Sequence, residues 1–245
     1  MSNNINRKDK NITKLFLFLY LCLTLLACSK ISPSGEIEVK DVSVENFTKL
    51  DLKGNFKVFF VKGNQNLVSV ETYPNIYKNL DVEVDNGTLE IKESRDAENV
   101  DFYSITIFGK NELSEISMAN HVEMNVSGKI NSPQFSLYLK DNTKFMGAIT
   151  SHKTIVEMSN NANANLLGKS KFLNLKQSDS TSIMAPYFEV ENLEISAKNN
   201  ASAGLNVDNE MKGNLENTSK LIFYGEPLNK LTRKDKASVE NRKFR

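Results

Sequence analysis

From residue 116 onward the 245-residue chain repeats itself, which limits its folds more than any other feature. Aligned on one polar position, ISMANHVEMNV carries Asn120, LYLKDNTKFMG Asp141, VEMSNNANANL Asn160, LKQSDSTSIMA Asp179, ISAKNNASAGL Asn199 and LENTSKLIFYG Ser219. The spacings are 21, 19, 19, 20 and 20 residues. Four positions before each anchor stand Ile116, Leu137, Val156, Leu175, Ile195 and Leu215, all aliphatic. Four positions after stand Met124, Phe145, Ala164, Ile183, Ala203 and Phe223. Within each unit apolar residues recur every second position, which is the period of a half-buried strand.

A short unit with strand alternation predicts an all-β parallel β-helix, or β-solenoid, with coils of about 20 residues. At about 3.3 Å per residue one coil has a contour of roughly 66 Å, room for two or three short strands and their corners. The polar anchor falls at a bend, because asparagine and aspartate tolerate left-handed backbone geometry. The column Phe145, Ala164, Ile183, Ala203, Phe223 alternates large and small, as close packing of stacked neighbours requires. LDLKGNFKVFF, from Leu50 to Phe60, fits the same template as an early coil. LTRKDKASV, with Leu231, Asp235 and Val239, fits as a last coil, and a solvated charge run is the alternative reading. Asn86-Gly87 between two alternating runs marks a hairpin. A leucine-rich repeat shares the period, but its first leucine would fall on polar residues such as Gln134, Lys153 and Asn192, which excludes it.

The start of the chain is set apart by charge. Arg7, Lys8, Lys10 and Lys14 precede an uncharged run from Leu15 to Leu26. Twelve residues span about 18 Å as a helix, too short for a bilayer core of about 30 Å, so residues 1–27 read as a signal peptide. Leu25-Leu26-Ala27-Cys28 resembles the bacterial lipobox, which implies cleavage after Ala27, lipidation of Cys28 and a membrane partner held through that lipid. Ser29 follows instead of an acid, a pattern that points to the outer membrane, and either leaflet stays open. Both cysteines, Cys22 and Cys28, lie in this leader, so disulfides and thiolate metal sites are excluded from the rest. His121 and His152 are the only imidazoles and read as surface residues, so neither metal nor cofactor is expected. Without the leader the chain carries 27 basic and 29 acidic residues, net −2, which gives no reason to expect nucleic acid.

FTKLDLKGNFKVFFVKG from Phe47, VDNGTLEI from Val84 and LIFYGEP from Leu221 resemble the head GIN domain family, named as auto-transporter adhesins and widespread among Bacteroidetes lipoproteins. The resemblance covers residues 42–245 as a single domain, with residues 28–41 left as a linker after the lipidated cysteine. It implies a right-handed parallel β-helix and a non-enzymatic cell-envelope protein. Family members carry Gly-Ser-Gly-like corners where this chain has pairs such as Asn160-Asn161 and Asn199-Asn200. The fold implication survives that departure, whereas a binding role of the glycine corners does not transfer.

Parallel β-helices also host polysaccharide lyases and hydrolases, so a carbohydrate-active enzyme is the alternative. Its best carboxylates are Asp141 and Asp179, two coils apart and so about 10 Å, with Asn160 between them. Asn120, Asp141, Asn160, Asp179 and Asn199 form the candidate ligand strip, and Lys140, Lys176 and Lys198 beside it are expected to neutralise it. The plainer reading of that strip is a row of corner residues satisfying backbone groups. No phosphate loop, GxSxG elbow, HExxH helix or GGxGxD calcium repeat occurs. Phe102 is expected in the core and Tyr103, Tyr138, Tyr187 and Tyr224 half-buried at coil edges, with a sugar-stacking surface as their other use. The expected function is an adhesin-like binding or scaffold domain whose partner is a glycan or an envelope protein.

Overall fold

The computed structural model describes residues 30–244, so Ala27 and Cys28 lie outside the described residues. The chain forms a parallel β-solenoid in which each later coil is one long bent strand. These strands are β9 (Glu123–Leu139), β10 (Lys144–Met158), β11 (Asn163–Gln177), β12 (Ser182–Ala197) and β13 (Ser202–Leu215). Each pairs in parallel with the next. The first half of each strand builds one face and the second half the other. The two faces enclose a single core running from Phe47 to Phe223. Alternate residues point inward, so Val156, Leu175 and Ile195 are at most 1% exposed while their neighbours face solvent. Burying each such side chain contributes about 1.5–3 kcal/mol.

Spatial order departs from chain order near the start. Strands β2 (Lys49–Gly54) and β3 (Lys57–Lys62) form the early coil expected from Leu50 to Phe60. It stacks directly on β8 (Glu115–Asn120) and β9, although more than 50 residues intervene. Those residues build a cap on its other side. Strand β4 (Leu67–Thr72), the short helix α1 (Pro74–Tyr77) and β5 (Leu80–Asp85) lead into a further coil, β6 (Thr88–Glu93) and β7 (Ser104–Gly109). Strand β6 pairs with β2, and β7 with β3. The hairpin at Asn86-Gly87 is present, with φ of 47° and 76°, and folds β5 antiparallel on β6. On the other face β4 lies antiparallel on β7, and β1 (Glu38–Ser43) antiparallel on β4. Antiparallel strands thus end the parallel stack and cover edges that would otherwise template further pairing.

Three expectations need revision. Residues 28–41 are not a free linker where they are described: Ile31 bridges to Ala97, Asn75 Nδ2 donates to the Ser32 carbonyl, and β1 begins at Glu38. The sixth repeat turns at Asn217, with φ 60°, rather than at Ser219, which is fully buried. Ile195 therefore pairs with Gly213, Leu215 moves one inward column along to Ala197, and Ala203 faces Leu221 instead of Phe223. The cause is a register shift: four steps from Ala185 to Glu189 lie opposite one step from Leu205 to Asn206, partly restored before Glu210. An aliphatic residue two places from the true corner masked the shortened coil. Phe102 is 39% exposed, and Tyr103 points into the core instead.

The basic C-terminal stretch forms a coil. After β14 (Lys220–Tyr224), β15 (Leu228–Arg233) pairs with β13 and β16 (Ser238–Asn241) with β14, around a corner at Asp235 with φ 59°. Its rim of Lys230, Arg233, Lys234, Lys236 and Arg242 discourages edge-to-edge association.

The shortened coil tests this geometry, because Gly213 lies within the second half of β13, opposite Ile195 and Leu231. Gly213 has φ 124°, and a Cβ there would sit 1.9 Å from the Ile195 carbonyl oxygen. Gly204 has open space around it, its nearest contact being 3.9 Å away. Gly213→Ala is expected to destabilise the fold by about 3 kcal/mol or more in urea titrations, and Gly204→Ala by less than about 1 kcal/mol.

Candidate functional site

The corner column is the most regular feature of the surface. Asn120, Asp141, Asn160, Asp179 and Asn199 all take left-handed geometry, with φ between 62° and 65°, and the series continues through Asn217 and Asp235. Most side chains pay about 1–2 kcal/mol for this backbone, and asparagine and aspartate recover part of it by local hydrogen bonds. Main-chain pairing continues across the bend: the Asn142, Asn161 and Ser180 N–H groups donate to the Asn120, Asp141 and Asn160 carbonyls at 2.8–3.0 Å.

The five expected strip residues are brought into one ladder, and they bond chiefly to each other. Asn120 N–H donates to Asp141 Oδ2 at 3.1 Å, and Asn160 Nδ2 to Asp141 Oδ1 at 2.7 Å. Asn160 N–H donates to Asp179 Oδ2 at 3.4 Å, Asn199 Nδ2 to Asp179 Oδ1 at 2.8 Å, and Asn217 Nδ2 to Asn199 Oδ1 at 2.7 Å. Carboxylates, which only accept, thus stand between amides, which donate. Hydrogen bonds from the Ser178 hydroxyl, the Asn199 amide and the Asn160 N–H hold the Asp179 carboxyl below its ordinary range. A carboxylate so stabilised is a poor general acid. Of the three flanking lysines, Lys176 pairs with Glu157 at 2.9 Å instead of with the strip. Lys198 assists in lowering Asp179, and neither it nor Lys140 has a carboxylate within 4.0 Å among the described residues.

The two histidines are exposed, as expected. The His121 ring meets the Asn142 amide at 3.1 Å, and His152 packs edge-on against Phe172 with centroids 5.4 Å apart. Among the described residues no group of three or more His, Cys, Asp or Glu side chains is placed to hold a metal ion.

Two grooves cross the face made by the second strand halves. One, of about 340 Å³, is bordered by Tyr138, Lys140, Ser159, Lys176, Ser178 and Lys198. The other, of about 380 Å³, runs past Phe172, Asn174, Asn192 and Glu210. A wider hollow of about 750 Å³ lies at the capped end, between Lys30, Asn55, Glu93, Asn99, His121 and Asp141.

Glu93 in that hollow carried no sequence signal, because it ends a strand whose neighbours come from distant segments. Its Oε2 accepts from the Asn55 N–H at 3.2 Å, while Oε1 and the Tyr103 hydroxyl are buried without partners. Burial pushes the Glu93 carboxyl up to about 7, against the pull of the Asn55 and Ala97 N–H groups, and Asp96 adds to the rise. Burial also raises the Tyr103 hydroxyl, with Glu93 contributing. Because the folded form holds the Glu93 proton more tightly, its contribution to stability is complete below about pH 4.5 and is lost as pH rises through about 7. Discounted for partial solvent access, the loss is on the order of 1–2 kcal/mol. Urea titrations at pH 5 and pH 8 should show this difference in the native chain, and Glu93→Gln, which stays neutral, should flatten it.

A family model described as "Putative auto-transporter adhesin, head GIN domain" matches residues 46–227. No curated protein shows a significant match to the chain. Among solved structures, a "putative adhesin" from Bacteroides fragilis superposes with a TM-score of 0.81 at 18% identity, covering 86% of this chain and 100% of that one. A "putative lipid binding protein" and a "putative adhesin", both from Parabacteroides distasonis, superpose with TM-scores of 0.72 and 0.71 at 14% and 15% identity. Each covers 87% of this chain and 100% of its own. At such identities these structures speak for the solenoid fold. The family match spans most of the coils described above, and on it the chain belongs to the head GIN domain family.

Proposed function

We propose that the chain is a non-catalytic lipoprotein of the cell envelope, anchored through Cys28, whose solenoid binds an acidic glycan in the groove beside Tyr138. The observation that carries this reading is the composition of that groove. Lys140 and Lys198, without carboxylate partners within 4.0 Å among the described residues, flank it with Ser159 and Ser178 between them. Tyr138 offers a half-buried ring in the next column, where Lys176 neutralises Glu157. Sugar rings stack on aromatic faces, their hydroxyls exchange hydrogen bonds with serine, and their carboxylates attract lysine. Phe172 in the neighbouring groove lies about 16 Å away by strand geometry, two coils up and four residues across, which suits an extended chain of sugars.

The corner ladder supports a binding role over catalysis, since its carboxylates accept from their neighbours and Asp179 is held ionised. A solved relative described as a lipid-binding protein raises a second ligand class. The grooves here are bordered by charged side chains, which favours a sugar over an acyl chain. The lipobox and the absence, among the described residues, of any helix long and apolar enough to cross a membrane both accord with anchoring by lipid.

Two measurements test the proposal. Cys28→Ser should move the protein from the membrane to the soluble fraction, and unchanged retention would remove the anchor. Binding of the leaderless chain to uronate-containing oligosaccharides, read by calorimetry, should weaken about 5- to 30-fold in Lys140→Ala/Lys198→Ala, since each charge-assisted contact contributes about 0.5–1 kcal/mol at an exposed site. Equal affinity for neutral and acidic oligosaccharides would argue against the groove.

A further inference from the structure

The face built by the first strand halves differs in kind from the grooved one. Its central outward column can be followed through the pairing from Ser69 and Thr106 to Phe59, then Asn125, Met146, Asn165, Met184, Gly204 and Ile222, before Glu240 ends it. No charged side chain interrupts it. Beside it on β11, β12 and β13 the outward residues Asn163, Ser182 and Ser202 are uncharged too, as are Leu167 and Tyr187 on the other flank. Phe59, Met146, Leu167, Met184 and Tyr187 are 42%, 49%, 43%, 63% and 69% exposed. On this face charge stands at the flank and the end, where Glu123 pairs with Lys144 and Lys220 with Glu240, while the grooved face carries Glu157–Lys176, Glu194–Lys212 and Glu210–Lys230 across its coils. Exposed large apolar side chains gathered on one face mark an interaction surface.

We infer that this face joins two copies of the chain in a two-fold dimer. The argument rests on shape and area. Large residues occur at every second coil, so Phe59, Met146 and Met184 stand about 10 Å apart with Asn125 and Asn165 in the gaps, and Gly204 follows Met184. A second copy turned end for end and offset by one coil places each large side chain over a gap of its partner. The same patch then serves both subunits, as an isologous contact requires. A bilayer would bury the Asn125, Asn163 and Asn165 amides without partners, whereas the same amides on a facing copy are donors and acceptors for one another. A strongly charged partner finds no opposite charge along the column.

The face is about 29 Å long and roughly 20 Å wide, close to 600 Å² on each copy, which places the pair at the lower end of standard-size interfaces. The dimer is therefore weak in solution and is favoured where copies are concentrated on one surface. At the far end Phe244 stacks on Tyr224 at 4.4 Å and on Tyr187 at 6.0 Å, extending the uncharged surface along its rim.

Sedimentation of the leaderless chain from about 1 μM to near-millimolar concentration tests the pairing. The expected result is a reversible monomer–dimer equilibrium whose dissociation constant rises at least tenfold in Met184→Glu, an exposed position where the fold is undisturbed. Lys212→Glu on the grooved face should leave it unchanged. Because no cysteine follows Cys28, Asn165→Cys in a chain starting at Ser29 supplies a single thiol, which a short bis-maleimide should link between copies, whereas Ser196→Cys on the opposite face should not link. A monomer at every concentration, a dimer indifferent to Met184→Glu, or adsorption of the monomer to phosphatidylcholine vesicles through this face would each overturn the inference. Glycan binding in the Tyr138 groove is read separately, so either conclusion can fail alone.

Discussion

From Asn120 onward each coil passes through the same corner in the same left-handed backbone state, and the parallel ladder runs unbroken across that bend, whereas the early coil turns at Gly54 without it. From Asn120 to Asp235 seven residues meet that demand, each asparagine or aspartate. Glycine would satisfy the φ requirement more freely, but it could not add the amide-to-carboxylate bonds that run from Asn160 to Asp141 and from Asn199 to Asp179. Each such bond joins neighbouring coils at a point where the sheet is most sharply bent. Immediately inside the bend, Val122, Thr143, Ala162, Thr181, Ala201 and Ser219 are at most 1% exposed, and all are small enough to let the backbone close. The corner is thus a two-sided device, polar outside and tightly filled within.

Once the corner holds, the two outer faces are free to diverge. Strand alternation sends core residues in and the intervening residues out, so an outward column changes without touching the interior. On one face lysine–glutamate pairs cross between the later coils, and on the other the central column carries methionine, asparagine and glycine, with the Glu123–Lys144 pair at its flank. A solenoid therefore separates its stability from its surface chemistry more completely than a globular domain, where one side chain often serves both. The capped end is the exception, since Glu93 there borders both the core and a hollow.

The middle of the molecule was legible because its rules are local. Left-handed geometry selects asparagine and aspartate, and inward columns select aliphatic residues, so the anchors from Asn120 to Asn199 and the row from Ile116 to Ile195 could be read directly. The early coil at Leu50–Phe60 followed from the same template, which left the stretch around Asp235 open between a last coil and a charge run. What escaped was non-local. Nothing in residues 64–114 announces that β6 and β7 stack outside β2 and β3, because that order depends on which edges remain unpaired. Gly213 was replaced by Leu215 in the expected row because a bulge in the preceding strand shortened the coil, and bulges leave little trace in composition. The candidate strip was found by residue type, but its hydrogen bonding, and hence its weak prospects as an acid–base pair, needed coordinates.

The separation of faces also bears on where chemistry can reside. An acid–base site needs a carboxyl whose affinity for protons is shifted toward neutrality and which reaches a bound substrate. The repeating corner works against this at Asp179, where the neighbours that join the coils also stabilise the ionised carboxylate. Glu93 meets the first condition because the cap breaks the repeat and leaves a glutamate against Tyr103 with one oxygen unpartnered. That oxygen is buried, while Oε2 accepts from the Asn55 N–H at the border of the hollow. Regularity in this fold thus supplies broad, rigid faces, and the shifted Glu93 carboxyl stands where the repeat is broken, at the junction between the cap and the first coil.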